Sequence, residues 1–242
     1  MRIEGKNAVN EALRAGKAVY KILINIDVTQ VQFAGIVALA KKANVKIEYC
    51  ERKILDGLSA TKNHQGIIAE MEDFTYSGID EILALALKRG EPPFVVILDG
   101  VEDPHNLGSV IRVCDCAGVH GIILPKHNAC PINETVAKVS AGAIGHMLVA
   151  KVTNINSTVE ELKKMGVWVY AAELGGENIY KQNLTGPLCL IIGSEGKGIH
   201  QLTKKICDGV VTLPMRGKVN SLNASVACGV VVFEALRQRG GV

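Results

Sequence analysis

Six apolar runs punctuate the chain from its middle to its end: Phe94–Leu98, Gly121–Leu124, Met147–Val152, Val167–Ala171, Leu188–Ile192 and Val210–Leu213. They are nearly uninterrupted. A strand with one wet face alternates apolar and polar residues, so continuous runs of this length predict strands buried on both faces, as in a parallel sheet between helical layers. The intervening segments carry helical periodicity. Leu107, Val110, Ile111, Cys114 and Ala117 form the apolar stripe of a helix predicted to begin at Asn106 and end at Gly118. A second helix is predicted from Ser157, where Ser157-Thr158-Val159-Glu160 reads as a capping box. Local pattern alone predicts a doubly wound parallel α/β sheet.

Three strand-to-helix junctions carry more polar and glycine residues than packing requires, at the place where α/β proteins hold their ligands. The first is Asp99-Gly100 followed by Asp103-Pro104-His105-Asn106-Leu107-Gly108-Ser109-Val110-Ile111-Arg112. The second is Gly193-Ser194-Glu195-Gly196-Lys197-Gly198. The third runs from Leu213-Pro214-Met215 through Arg216-Gly217-Lys218-Val219-Asn220 into Ser221-Leu222-Asn223-Ala224-Ser225. Ser221 is predicted to cap the last helix, with Val226, Val230 and Phe233 at core spacing behind it. The glycine-rich second junction is no Walker loop, because Ile199-His200 follows Gly198 where Lys and then Ser or Thr are needed. The dinucleotide fingerprint fails as well, since Gln201 stands where its third glycine belongs.

In order and wording, these junctions resemble the three motifs of the SpoU (TrmH) family of RNA ribose 2'-O-methyltransferases, within the SPOUT superfamily. Asn106 and Arg112 match the first motif, Gly193 and Glu195 the second, and Pro214, Ser221, Leu222 and Asn223 the third. The resemblance spans residues 92–242. The N-terminal third is also similar to the small RNA-binding domain of the RlmB-type branch, whose members methylate a guanosine of large-subunit (23S) ribosomal RNA. The resemblance implies an α/β SPOUT-type parallel sheet with a C-terminal trefoil knot, preceded by a small α/β RNA-binding domain, and a homodimer. It implies S-adenosylmethionine as cofactor, with Gly193, Leu213, Leu222, Ile192 and Gly196 at its site. For catalysis it implies Arg112, Asn106, Glu195, Ser221 and Asn223.

Transfer to a ribose hydroxyl needs in-line alignment and loss of a weakly acidic proton. The resemblance places Arg112 beside that hydroxyl. A guanidinium keeps its proton in proteins, so its role is to stabilise the developing alkoxide and clamp the neighbouring phosphate, with the proton passing to water or to that phosphate. Arg112 lies off the apolar stripe of its helix. Asn106, six residues earlier, does not share its face, so joint action requires the long arginine stem or a second chain. Glu195 is expected to orient loop amides or Asn223, and Asn106 to hold loop or substrate groups.

Residues 1–73 alternate helix and strand patterns, predicting a small α/β domain: a helix over Asn7–Leu13, strands at Val19–Ile24, Val45–Tyr49 and Gly66–Met71, and a helix over Phe33–Lys42. Residues 74–91 are predicted to be a linker with one docked helix, Glu81–Lys88, ending at Gly90. The 242 residues carry a net charge of only +3, but residues 1–69 hold eleven Lys and Arg against six Asp and Glu, a bias compatible with phosphate contact. Aromatic residues make up 4% of the chain, too few for broad base-stacking platforms.

No apolar stretch approaches the ~18–20 residues that span a bilayer, and the N-terminus lacks a signal region, so a cytoplasmic location is expected. The seven cysteines mostly lie in apolar runs and are expected to be reduced, buried thiols. Neither Cys114 and Cys116 nor the six histidines have metal-ligand spacing, so no metal is expected. His105 is read as a turn residue. Within the family, a tRNA guanosine 2'-O-methyltransferase and an rRNA adenosine methyltransferase conferring antibiotic resistance are the nearest rivals. A catalytically silent RNA-binding or ribosome-assembly factor is the rival from another class. Retention of Arg112, which a silent protein has no chemical need to keep, counts against that last reading.

Overall fold

The computed structural model describes residues 1–28, 30–59 and 62–240. In chain order the first elements are β1 (Arg2–Glu4), α1 (Lys6–Arg14), β2 (Val19–Asn25), α2 (Gln30–Lys42), β3 (Lys46–Cys50), α3 (Arg52–Leu58) and β4 (Ile67–Met71). There follow α4 (Ile79–Arg89), β5 (Phe94–Asp99), α5 (Pro104–Cys116), β6 (Gly121–Pro125), α6 (Glu134–Val139) and β7 (Leu148–Val152). The chain ends with α7 (Ile155–Lys164), β8 (Trp168–Asn178), β9 (Leu188–Gly193), α8 (Gln201–Ile206), β10 (Gly209–Thr212) and α9 (Ala224–Gln238). By internal contacts they form two compact units, Met1–Thr75 with Pro131–His146, and Tyr76–Cys130 with Met147–Val242.

In the first unit the strands lie in the order β1-β4-β2-β3, antiparallel except for the β2/β3 pair. β2 is buried on both faces: Ile22 and Ile24 fill one side, while Leu23 joins Leu55 of α3 and Ile68 of β4 on the other. Residues 131–146, read from sequence as part of a continuous 92–242 domain, group with this unit instead. The reason is a set of specific contacts. α6 packs against the edge strand β1, where Glu134 Oε1 accepts the otherwise unpaired Arg2 N–H at 3.2 Å. Lys138 Nζ donates to Asn63 O at 2.7 Å and stands 3.7 Å from the buried Glu4 carboxylate. Gly142, at φ 98°, lies so close to α1 that a Cβ would fall 2.4 Å from that of Glu11.

The second unit is built on a six-stranded sheet, parallel throughout, in the order β10-β8-β9-β5-β6-β7. Every residue of β5 is buried, as its uninterrupted apolar run requires. The chain moves outward from β5 through β6 to β7. It then crosses to β8 and returns to insert β9 between β8 and β5, so the direction of winding reverses at β5/β9. α4, at the start of this unit, packs Ile82 directly over Gly121, whose missing side chain makes the room: a Cβ there would meet Ile82 Cδ1 at 2.5 Å. Glu81 Oε1 accepts from Gly78 N at 3.0 Å to cap α4, and Gly90 ends it at φ 68°.

Among the helix starts that differ from the sequence reading, three do so because an Asx side chain supplies the cap at another position. α5 begins at Pro104 rather than Asn106, capped by Asp103, whose Oδ1 accepts from Asn106 N at 2.8 Å. His105 accordingly sits in its first turn and not in a free turn. α7 begins at Ile155, because Asn154 Oδ1 accepts from Asn156 N and Ser157 N at 2.8 and 3.2 Å, and the Ser157–Glu160 box is not used. α9 is capped by Asn223 rather than Ser221. Its buried residues are Ala224, Cys228, Val231, Val232, Glu234 and Ala235. Val226 and Phe233, expected in the core, are 51% and 46% exposed.

Candidate active site

The carboxyl ends of β8, β9 and β10 and the loop leading into α9 enclose a cleft of about 610 Å³, within the roughly 300–1,000 Å³ of small-molecule sites. Its apolar walls are Ile192, Leu213, Leu222 and Val231, joined by Ala172 and Ala227. Gly193, Glu195, Gly196, Ser221 and Asn223 also line it. Five expected cofactor residues and three expected catalytic ones therefore share one cavity. Ser221 does so as an exposed loop residue, two positions before Asn223, which caps the helix in its place.

The loop after β9 is held by partners distant in sequence. Ser194 N donates to Gly198 O at 3.2 Å and Gly198 N returns a bond to Ser194 O at 3.0 Å, closing the turn. Ile199 N donates to Glu173 Oε2 on β8 at 3.2 Å, and that carboxylate also accepts from Lys204 Nζ at 2.8 Å. Asp99, at the end of β5 and 3% exposed, accepts from His200 N at 2.9 Å and meets His200 Nδ1 at 2.8 Å. Gly193 permits this closure, since a Cβ on it would come within 2.3 Å of Gly198 C. Asp99, Glu173 and His200 were not singled out in the sequence. Asp99 adjoins the first motif and was the one legible signal, a carboxylate ending an otherwise apolar strand.

The three motifs meet in a single hydrogen-bonded triangle. Asn106 Nδ2 donates to Glu195 Oε1 at 3.1 Å, and Asn223 Nδ2 donates to Asn106 Oδ1 at 2.8 Å and also to Glu195 Oε1. Asn223 Oδ1 meanwhile caps α9, accepting from Ser225 N at 3.0 Å and Val226 N at 3.3 Å. The Glu195 carboxylate further accepts from Ala224 N at 3.4 Å, where the helix dipole favours a negative charge. One carboxylate thus ties the start of α5, the β9 loop and the start of α9 together at the edge of the cleft.

Arg112 is not brought into this group. It lies two turns along α5 from Asn106, exposed, and is absent from the cleft lining. α5 packs on α9, with Cys114 and Cys228 buried at 4.0 Å between them, while Cys116 points to solvent. Burial pushes the Cys114 and Cys189 thiols up, and that of Cys207 to about 11, so these groups are protonated and packed as small apolar side chains. Among the described residues no group of three or more His, Cys, Asp or Glu is placed to hold a metal ion. No helix among them is long and apolar enough to cross a membrane.

A parallel α/β sheet whose polar junctions converge on a cleft at its carboxyl edge defines a small-molecule-binding α/β protein, and comparison with known proteins resolves the class. Residues 93–233 match the SpoU rRNA Methylase family, and residues 2–77 match the RNA 2'-O ribose methyltransferase substrate-binding domain. A TrmH family tRNA/rRNA methyltransferase of Bacillus subtilis, YacO, is 44% identical over 98% of this chain and 96% of its own length. A Staphylococcus aureus protein of the same description is 40% identical over 99% and 97%. Among solved structures, the AdoMet-bound rRNA methyltransferase from Sinorhizobium meliloti superposes with a TM-score of 0.79 at 25% identity, covering 98% of this chain and 86% of that one. The SpoU methyltransferase AviRb from Streptomyces viridochromogenes shares the fold, with a TM-score of 0.83 at 23% identity over 99% and 90%. The chain belongs to the SpoU (TrmH) family of RNA 2'-O-methyltransferases.

Proposed function

We propose that the protein transfers the methyl group of S-adenosylmethionine to the ribose 2'-hydroxyl of a guanosine in large-subunit (23S) rRNA, as a cytoplasmic homodimer carrying the family's C-terminal trefoil knot. The observation that carries the reading is the Asn106–Glu195–Asn223 triangle, which joins all three motifs beside a cleft of nucleoside size. The cleft suits the cofactor chemically. Ile192, Leu213 and Leu222 offer flat apolar surface to a purine, while the main chain around Gly193 and Leu213 offers donors and acceptors to its edge. When bound, the cofactor supplies an electrophilic methyl on a sulfonium centre.

The chain's own residues do the rest. Glu195, Asn106 and Asn223 hold the three loops in register, so that little reorganisation is left for the reacting complex. Arg112 stabilises the alkoxide that develops on the ribose and clamps the neighbouring phosphate, with the proton leaving to water or to that phosphate. Because Arg112 lies outside the cleft of its own chain, it serves either through its long stem or in the site of a second copy. Dimerisation is supported by α9, which leaves Val226, Val230 and Phe233 on one stripe at helical spacing, two of them half exposed. Phe233→Glu is expected to shift the protein to a monomer in light scattering after gel filtration; an unchanged mass would place the interface elsewhere.

Ribosomal RNA is favoured as substrate by the extent of the likenesses. The S. meliloti rRNA methyltransferase matches across 98% of the chain, whereas the Aquifex TrmH/SpoU tRNA-modifying enzyme matches 66%, with a TM-score of 0.57. The deciding experiment offers labelled S-adenosylmethionine with unmodified large-subunit rRNA fragments and with tRNA in parallel, and maps the ribose by primer extension at low nucleotide concentration. A stop at a guanosine of the rRNA is expected. Transfer to tRNA alone would assign the other substrate, and cofactor binding without transfer to either would favour an assembly role.

A further inference from the structure

Asp99 ends β5 as a carboxylate whose side chain is 4% exposed, and both of its oxygens are spent on one residue. Oδ2 accepts from His200 N at 2.9 Å, and Oδ1 meets His200 Nδ1 at 2.8 Å. A carboxylate only accepts, so the ring's proton is on Nδ1 and its lone pair on Nε2. A buried charge is more than the start of the six-residue α8 requires, since a neutral side-chain oxygen caps a helix as well. What the charge adds is a fixed tautomer. His64 and His120 are each held at both ring nitrogens, the first by Gly66 N and Asp56, the second by Phe94 N and Glu91. His200 is held at Nδ1 alone, 67% exposed, and presents a free Nε2.

The pair stands where an α/β sheet receives its ligand. The winding reverses at β5 and β9, and Asp99 is in register with Gly193 at the carboxyl ends of those two strands. Gly198, two residues before His200, lines the cleft, and Asp99 opens the first of the three polar junctions. The other charged groups around α8 are engaged or exposed. Lys204 is bound to Glu173 of β8 at 2.8 Å, and Lys205 is open to solvent. α7, which packs on α8, meets it through the neutral Asn156–Thr203 bond, and its Lys163 is bound to Asp208.

We propose that His200 Nε2 is the acceptor to which the ribose 2'-hydroxyl proton passes, through one water, with Asp99 as its positioning residue. The inference rests on the reading of the protein as an RNA 2'-O-methyltransferase and deepens it. His200 lies outside the cleft wall, which is why a water bridges the gap. The 2'-O–H bond breaks as the O–CH3 bond forms, and the electron pair of the broken S–CH3 bond stays on sulfur. The proton moves to the water, which gives up one of its own to Nε2. The imidazolium formed is balanced by the Asp99 carboxylate, and its exposed edge returns the proton to solvent before the next turnover.

The test uses the full chain and an rRNA fragment that it methylates, in single-turnover transfer over a pH series. Neutral imidazole is the accepting form, so the wild-type rate is expected to fall on the acid side as His200 becomes protonated. His200→Gln is expected to lose that limb and to transfer about 10²-fold more slowly at neutral pH, the scale of general-base catalysis, with calorimetric affinity for S-adenosylmethionine within about twofold of the wild type. Asp99→Asn is the decisive variant. Its amide keeps both contacts, oxygen to His200 N and NH2 to Nδ1, but forces the proton onto Nε2, which can then no longer accept. A merely structural pair tolerates that exchange, whereas here transfer is expected to fall about as far as in His200→Gln at an unchanged melting temperature. Wild-type rate and pH profile in either variant would refute the acceptor and leave the enzyme reading standing. Losses in Asp99→Asn matched by lower melting temperature and weaker cofactor binding would likewise reduce the pair to a loop staple. A wild type that transfers no methyl to rRNA or tRNA would overturn both readings.

Discussion

Arg112→Ala is expected to reduce methyl transfer by about 10²–10³-fold, the scale seen when one charge-stabilising donor is removed from a transition state, and to leave affinity for S-adenosylmethionine within about twofold of the wild type. The division of effects follows from position. Arg112 is exposed on α5 and no part of the cleft wall, so its removal opens no cavity and frees no buried partner. Substitutions of that kind usually change stability by less than about 0.5 kcal/mol. In the proposed mechanism the missing guanidinium would be felt only when negative charge develops on the ribose oxygen, so kcat is expected to fall more than KM for the cofactor changes. Single-turnover transfer and calorimetry of cofactor binding read the two effects separately. A large calorimetric loss would mean that Arg112 helps to shape the cleft, and an unchanged rate would remove it from the chemistry. Lys is a poor substitute if the guanidinium grips a phosphate through two parallel bonds, so Arg112→Lys is expected to recover only part of the rate.

The sheet was legible because strands buried on both faces must be apolar throughout: Phe94–Leu98 and Leu188–Ile192 are found as strands extended by one residue, Asp99 and Gly193. Those added residues lie at the carboxyl ends where the site forms. The helix starts were less legible. Serine, aspartate and asparagine all cap, and which one does so depends on backbone geometry beyond the sequence pattern. Asp103, Asn154 and Asn223 won over the later Asn106 and Ser157 and the earlier Ser221. The return of residues 131–146 to the first unit left no local trace. It depends on Glu134 meeting Arg2 and Lys138 meeting Asn63, pairs 132 and 75 residues apart. Glu195 and the two asparagines were legible as motif residues through a family resemblance, yet their triangle spans 117 residues between Asn106 and Asn223. Periodicity placed Val226 and Phe233 in the core, whereas both stand half exposed on α9, because helical spacing marks an apolar stripe without saying whether the protein's own core covers it.

Gly193→Ala is expected to weaken S-adenosylmethionine binding at least tenfold and to lower stability by about 1–3 kcal/mol, the usual cost of overpacking. The added methyl would sit 2.3 Å from Gly198 C, 2.6 Å from Gly198 O and 2.6 Å from Ile199 N, all of them backbone atoms. Backbone here cannot yield cheaply. Gly198 is bonded to Ser194 in both directions, Ile199 N is held by Glu173, and His200 N by the buried Asp99. Moving the loop far enough to admit a methyl therefore breaks several hydrogen bonds at once and carries Glu195 away from Asn106 and Asn223, so the cleft and the triangle open together. Two controls separate this steric effect from the loss of a glycine as such. At Gly186 a Cβ meets nothing within 4 Å and φ is unremarkable, so Gly186→Ala is expected to be neutral in both assays. At Gly196 space is equally open but φ is +82°, so Gly196→Ala is expected to show only the roughly 1–2 kcal/mol strain of a left-handed side chain, with cofactor affinity less affected than at Gly193. Thermal melts and calorimetry on the three variants decide the matter: equal losses at Gly193 and Gly196 would make backbone flexibility, and not the close approach of the two chain segments, the reason this loop is written with glycine.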